Sequence, residues 1–131
     1  MSSKPSQPPR PTDAELEILT VLWSLGPSTV RDVHETIVRR KPAQYTTVLK
    51  TLQIMAEKGL VERNEKQRAH IYSAARPREW TQQQLAGDLL QRAFGGSAAS
   101  LMLGALSAHK ASPGELAELK KYLEDYEKGN L

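Results

Sequence analysis

Cysteine is absent from all 131 residues. Disulfides, thiolate zinc sites, thiol catalysis and thiolate copper sensing are thereby excluded. No apolar run approaches the ~20 residues that a membrane-spanning helix needs. The opening MSSKPSQPPRPT also lacks the hydrophobic stretch of a signal peptide. A cytoplasmic protein with no membrane insertion is expected. The three histidines, His34, His70 and His109, fall in separate predicted elements, with no HExxH and no paired ligand spacing. Neither a Gly-rich phosphate loop nor a GxSxG turn occurs, and Gly95-Gly96 reads as a helix break. The chain therefore reads as a non-enzyme with no metal and no cofactor.

What is present fits an ordinary soluble protein, with 39% hydrophobic and 25% charged residues. The length suffices for one compact domain and a few appended helices, but not for a wide cleft between large domains. Net charge is +3 and unevenly placed. Residues 1–76 hold 12 Lys/Arg against 8 Asp/Glu, whereas residues 77–131 hold 6 against 7. A basic segment joined to a near-neutral one suits a nucleic-acid reader attached to an oligomerisation module. Solvated surfaces also reach such an excess, so charge alone does not decide the matter.

Residues 1–11, with four prolines and no apolar anchor, read as a disordered arm. Thr12 and Glu15 then have the spacing of a capping box. Leu16, Leu19 and Trp23 recur at helical intervals, with Ile18, Leu22 and Leu25 widening the face until Gly26-Pro27 ends it. Thr29 and Asp32 make a second capping pair ahead of Val30, Val33 and Ile37. Arg39-Arg40-Lys41 reads as a solvated helix end before the break at Pro42. A third helix is predicted from Tyr45 to Lys58, closed by Gly59 in the left-handed conformation. Three short helices in tight succession are the layout of a helix-turn-helix unit. Beyond Gly59 the period changes: Leu60–Arg63 and Ala69–Tyr72 read as paired strands around a polar tip at 64–68. A hairpin directly behind the third helix is a wing, which defines a winged helix-turn-helix domain over residues 12–76.

On a helical wheel, Tyr45, Val48, Leu49, Leu52, Met55 and Ala56 share an arc of roughly 120° that is expected to face the core. Thr46, Thr47, Lys50, Gln53, Ile54 and Glu57 face outward. Small polar groups near the N-terminal end suit a recognition helix approaching base edges in the major groove. Thr46 and Thr47 offer hydroxyls for bases or phosphates and methyls for thymine, although one of the pair is expected to cap the helix. Lys50 can reach guanine O6/N7 or a phosphate, and Gln53 matches adenine N6/N7 from further along. Arg63, Lys66 and Arg68 on the wing are candidate phosphate contacts, which position a protein without reading sequence. Thr29, with Ser28 at the start of the second helix, is another.

Residues 77–131 are helical throughout. Trp80, Leu85, Leu89, Leu90 and Phe94 form one apolar set before Gly95-Gly96, and Leu101, Met102, Ala105 and Leu106 form a second. Ser112-Pro113-Gly114-Glu115 combines an N-cap, a first-turn proline and a capping acid ahead of Leu116, Leu119, Leu123 and Tyr126. Such short helices with few aromatics make a poor core alone and would bury their stripes better against a second copy. Leu101, Leu106, Leu116, Leu119, Leu123 and Tyr126 are therefore candidate homodimer residues. The fold class is mostly α with a small β-hairpin wing: an N-terminal winged helix-turn-helix plus a C-terminal helical dimerisation region. Two other readings stand beside a DNA reader. One is a winged-helix module for protein partners. The other is a ligand-sensing regulator whose pocket is lined by Trp80, Met102 and Tyr126, residue types that more often serve as core or dimer contacts.

TDAELEILTVLW at 12–23, YTTVLKTLQIMAEKGLVER at 45–63 and RAHIYSA at 68–74 carry a resemblance, extended by FGGS at 94–97 and SPGELAELKKYLED at 112–125. In this order and spacing the chain resembles the penicillinase-repressor family of bacterial transcriptional regulators, which includes methicillin-resistance and copper-transport repressors. The resemblance implies a homodimeric repressor on an inverted-repeat DNA operator with TACA/TGTA-type half-sites, controlling beta-lactamase or related stress or resistance genes. Its recognition-helix positions fall on Thr46, Thr47 and Lys50. It also implies, for members released by proteolysis, a membrane sensor protease or its effector as partner. Here the chain departs from the family. Gly104-Ala105 stands at the cleavage position where those members have Asn-Phe, and the C-terminal cysteine cluster of the copper-responsive members is missing.

Overall fold

Reciprocal capping boxes start the first two helices. In the computed structural model, which describes residues 9–130, the Thr12 hydroxyl accepts from the Glu15 N–H at 3.2 Å and Glu15 Oε1 accepts from the Thr12 N–H at 2.9 Å. They open α1, Asp13–Leu25. Thr29 and Asp32 repeat the arrangement at 3.1 Å in each direction and open α2, Val30–Val38. α3, Tyr45–Lys58, ends at Gly59 in the left-handed region, φ 82° and ψ 14°. A Cβ at such a position costs roughly 1–2 kcal/mol, so glycine belongs there. Residues 1–8 of the expected arm lie outside the described residues.

β1, Val61–Asn64, and β2, Ile71–Ala74, pair antiparallel from Val61↔Ala74 to Asn64↔Ile71. The second strand thus lies two residues later than the apolar alternation suggested, and the tip runs over residues 65–70. The reason is non-local. Ser28 and Tyr72 exchange both backbone hydrogen bonds, at 2.9 and 2.7 Å, adding an isolated bridge to the hairpin. Tyr72 is consequently buried between the hairpin and the start of α2, which fixes the register.

Ile18, Leu19, Val21 and Leu22 of α1, Val30, Val33 and Ile37 of α2, and Val48, Leu52 and Met55 of α3 form one core with Leu60, Val61 and Tyr72. Each fully buried aliphatic side chain contributes about 1.5–3 kcal/mol. Leu25, expected on this face, is exposed in the last turn of α1, and Tyr45, expected to face the core, is exposed at the start of α3. Glu15 is buried within the apolar set. Trp23 Nε1 donates to the Arg76 carbonyl at 3.0 Å and so ties α1 to the segment after the hairpin.

α4, Arg78–Ala93, α5, Ala98–Ala108, and α6, Pro113–Glu127, follow. Ser112 caps α6 by accepting from the Glu115 N–H at 3.1 Å, with Pro113 in its first turn, as the residue pattern indicates. Ser97 caps α5 in the same way. The chain divides into two compact units, one ending at Ala86 and one beginning at Gly87. In the second unit Leu89, Met102, Leu103, Leu116, Leu123 and Tyr126 are exposed, and α5 and α6 contain no buried residue. Within it, Gly104 allows a close approach: a Cβ there would sit 3.1 Å from Phe94 Cε1. Among the described residues no helix is long and apolar enough to cross a membrane.

Candidate nucleic-acid interface

The core stripe of α3 dictates what its other side presents. With Val48, Leu52 and Met55 buried, Thr46, Thr47, Lys50, Gln53, Ile54 and Glu57 are left exposed. The helix starts at Tyr45 with Gln44 as its N-cap, and the Gln44 side chain makes no capping hydrogen bond. Neither threonine is therefore the cap, contrary to the expectation for one of them. Both occupy the first turn, and their hydroxyls make no hydrogen bond among the described residues. Thr51, one turn later, is different: its hydroxyl donates to the Thr47 carbonyl at 2.8 Å. Lys50 forms no ion pair among the described residues. Two free hydroxyls and a free ammonium thus share the N-terminal half of one exposed helix face. They can donate to acceptor-rich base edges or phosphates.

The C-terminal half of that face is electrostatically different. Gln53 and Glu57 line an open hollow together with Arg63 and Glu65 of the hairpin. Arg63 is engaged there: its guanidinium lies 2.6 Å from Glu65 Oε1. The Tyr72 hydroxyl is the main influence raising its pKa above the ordinary arginine value; burial opposes this and Glu65 adds to it. The structure therefore brings Thr46, Thr47 and Lys50 together and sets Gln53 and Arg63 in more acidic company.

At the wing tip, the Lys66 N–H donates to Asn64 Oδ1 at 2.9 Å, a side-chain turn that tightens the loop. The Lys66 and Arg68 side chains are exposed and have no ion pair among the described residues. Thr29 is half-buried at the start of α2 and its cap bonds employ its N–H and one hydroxyl lone pair, leaving the O–H free to donate. Ser28 is committed to the bridge with Tyr72, and its hydroxyl donates to the Gly26 carbonyl at 2.8 Å. Of the cation run after α2, Lys41 pairs with Glu17 at 2.9 Å, while Arg39 and Arg40 are exposed.

The remaining candidates lie on separate elements. Trp80 is half-buried under the Arg76 guanidinium, 4.8 Å from the ring centroid, whereas Met102 and Tyr126 are exposed on α5 and α6. Leu116, Leu123 and Tyr126 are exposed on α6, while Leu101, Leu106 and Leu119 are half-buried in their helices. Gly104 and Ala105 lie inside α5. His34 Nε2 is bonded to the Ala43 carbonyl at 2.8 Å, a local structural contact. Among the described residues no cluster of His, Asp or Glu could hold a metal ion. Sequence reasoning missed Tyr45 as a surface group. Its wheel position lies in the core arc, and only the packed helices show that α2 meets it just edge-on, through His34, and leaves it exposed.

The family model described as penicillinase repressor matches residues 11–125. Two curated relatives from Mycobacterium tuberculosis, strains CDC 1551 / Oshkosh and ATCC 25618 / H37Rv, are each described as transcriptional regulator BlaI. Each is 41% identical over 68 residues, covering 51% of this chain and 49% of the relative. The chain thus spans about half the length of the curated relatives it matches. A solved structure, the solution structure of monomeric Bacillus licheniformis BlaI in complex with the blaP half-operator, is similar at 20% identity with a TM-score of 0.49. The similarity covers 56% of this chain and 89% of that one.

Proposed function

Since the chain belongs to the penicillinase repressor family, we propose that it is a sequence-specific DNA-binding transcriptional repressor acting as a homodimer on an inverted-repeat operator. The observation that carries this reading is the exposed N-terminal half of α3, where Thr46, Thr47 and Lys50 stand together without partners. Lys50 and the threonines read base edges, and Lys66, Arg68 and Thr29 hold the sugar-phosphate backbone. Arg63 orders the hairpin through Glu65 and Tyr72.

The second copy meets the exposed apolar side chains of α6, with Leu116, Leu123 and Tyr126 at its centre; Leu119 of α6 and Leu101 and Leu106 of α5 are the further dimer residues. Helices without one buried residue leave this much apolar surface in water only at a cost that association removes. A dimer then places two recognition helices on two half-sites, and repression is steric, by covering a promoter. Gly104-Ala105 lies within α5 and replaces the Asn-Phe pair at which the proteolytically released members are cut. Release by a membrane sensor protease or its effector at that bond is therefore not part of the proposed mechanism.

Sequencing the genomic fragments retained by the purified protein at moderate salt tests the proposal. The expected result is a shared inverted repeat upstream of a small set of genes. Retention of random fragments alone, or of none, would overturn sequence-specific repression.

A further inference from the structure

Resting on the DNA-binding reading above, we propose that Tyr45 is a DNA-backbone contact and that the groove it borders seats one sugar-phosphate strand. An open groove of about 420 Å³ runs between the starts of α2 and α3 and the wing. Thr29, Arg31, Tyr45, Arg68 and His70 border it above Tyr72, the rest of its lining is apolar, and no carboxylate contributes. Hydroxyls and guanidinium groups around an acid-free groove complement an occupant whose polar atoms are all acceptors and whose charge is negative. A phosphodiester strand has that chemistry.

Tyr45 is held for this purpose. Its ring meets the His34 ring edge-on, with centroids 5.6 Å apart and planes at 78°. His34 is in turn fixed through Nε2 to the Ala43 carbonyl, in the turn that leads into α3. The phenol is thereby fixed from behind by an imidazole tied to backbone, while the side chain stays 45% exposed. Its hydroxyl makes no hydrogen bond among the described residues. Across the groove Arg68 has no ion pair among the described residues, and the Thr29 O–H is free to donate. Arg31 is partly engaged by Glu35, at 3.1 Å on the outer side of α2. Tyr45 immediately precedes Thr46, so a strand in this groove runs directly beside the base-reading face. In this arrangement Tyr45 Oη donates to a phosphate oxygen and His34 is a positioning residue.

The test uses the full chain and two fluorescent duplexes, one of random sequence and one recovered by selection with the wild-type protein. Tyr45→Phe removes one oxygen, and its melting temperature should match the wild type. It should weaken both duplexes by about tenfold to hundredfold, as the loss of one hydrogen bond to a charged group does, with their ratio unchanged. His34→Ala should produce a similar loss, and the double variant should lose no more than either single one. Ethylation interference should show that Tyr45→Phe no longer senses one phosphate that matters to the wild type. Unchanged affinity and interference pattern in Tyr45→Phe, while Lys50→Ala still alters base preference, would refute the groove and leave the repressor reading intact. A changed ratio between the duplexes would make Tyr45 a base reader and likewise refute it. If the wild-type chain binds neither duplex at low salt, the DNA-binding reading itself fails.

Discussion

Lys58 Nζ lies 2.8 Å from Glu15 Oε2, joining the last residue of α3 to the first turn of α1. The other oxygen of the same carboxylate accepts the Thr12 N–H. Glu15 thus closes a capping box and pins the end of α3 to the rest of the domain. Burial would raise its pKa, but the hydrogen bond and charge of Lys58 and the two Thr12 hydrogen bonds outweigh it and hold the carboxyl below its ordinary value.

A carboxylate lowered in the folded state stabilises above its unfolded pKa, and that contribution disappears as pH falls through the folded value. Glu15→Gln keeps an oxygen for the capping box but removes the charge opposite Lys58. At neutral pH it should cost about 1–2 kcal/mol, since the pair is buried on one side only. For a domain of this size that is a fall in Tm of roughly 4–16 °C. Thermal melts should show the gap between variant and wild type closing as pH is taken down through the acidic range.

Lys50→Ala and Lys66→Ala should separate base reading from backbone holding. The first should relax sequence preference. The second should weaken all duplexes alike and lower the dependence of log affinity on log salt by about 0.9 per lost phosphate contact. Anisotropy titrations across a salt series measure both. Equal effects of the two changes on every sequence would mean that these roles are misassigned.

Leu119→Glu and Leu123→Glu place a charge in the stripe assigned to the second copy. Sedimentation should report the monomer mass for either variant, while the melt of the winged domain stays near wild type because its core lies elsewhere. A dimer mass in both variants would remove α6 from the interface.

Gly104→Val should destabilise the C-terminal unit by about 1–3 kcal/mol through overpacking, because a Cβ at Gly104 already approaches Phe94 to 3.1 Å. Hydrogen exchange should show faster opening of α5 with no change in α1–α3. Protection of α5 equal to the wild type would show that Phe94 moves aside freely.

The helices and their ends were legible in the residue order because their causes are local. Thr12 with Glu15, Thr29 with Asp32, and Ser112 with Glu115 are each three residues apart, and each makes the bond its spacing suggests. Gly59 caps α3 through its own backbone. The outward set on α3 followed from helical periodicity, and the exposed cations of the wing tip from the polar run between the two strands. The register of the hairpin, the engagement of Arg63 and the exposure of Tyr45 were not legible. The register is set by Ser28 against Tyr72, two residues 44 positions apart in the chain that only folding brings together.

The sequence by itself determined where helices start and stop, which stripe of α3 is buried and where cations gather. Those outcomes depend on side chains three to seven residues apart, whose relative directions a helix dictates. Only the tertiary structure decided which polar groups remain free. Glu15 with Lys58 is a pair 43 residues apart and Trp23 with Arg76 one of 53, and neither has a signature in spacing. Whether a hydroxyl or cation is available to a ligand depends on what folding has placed beside it, and that is a property of packed surfaces.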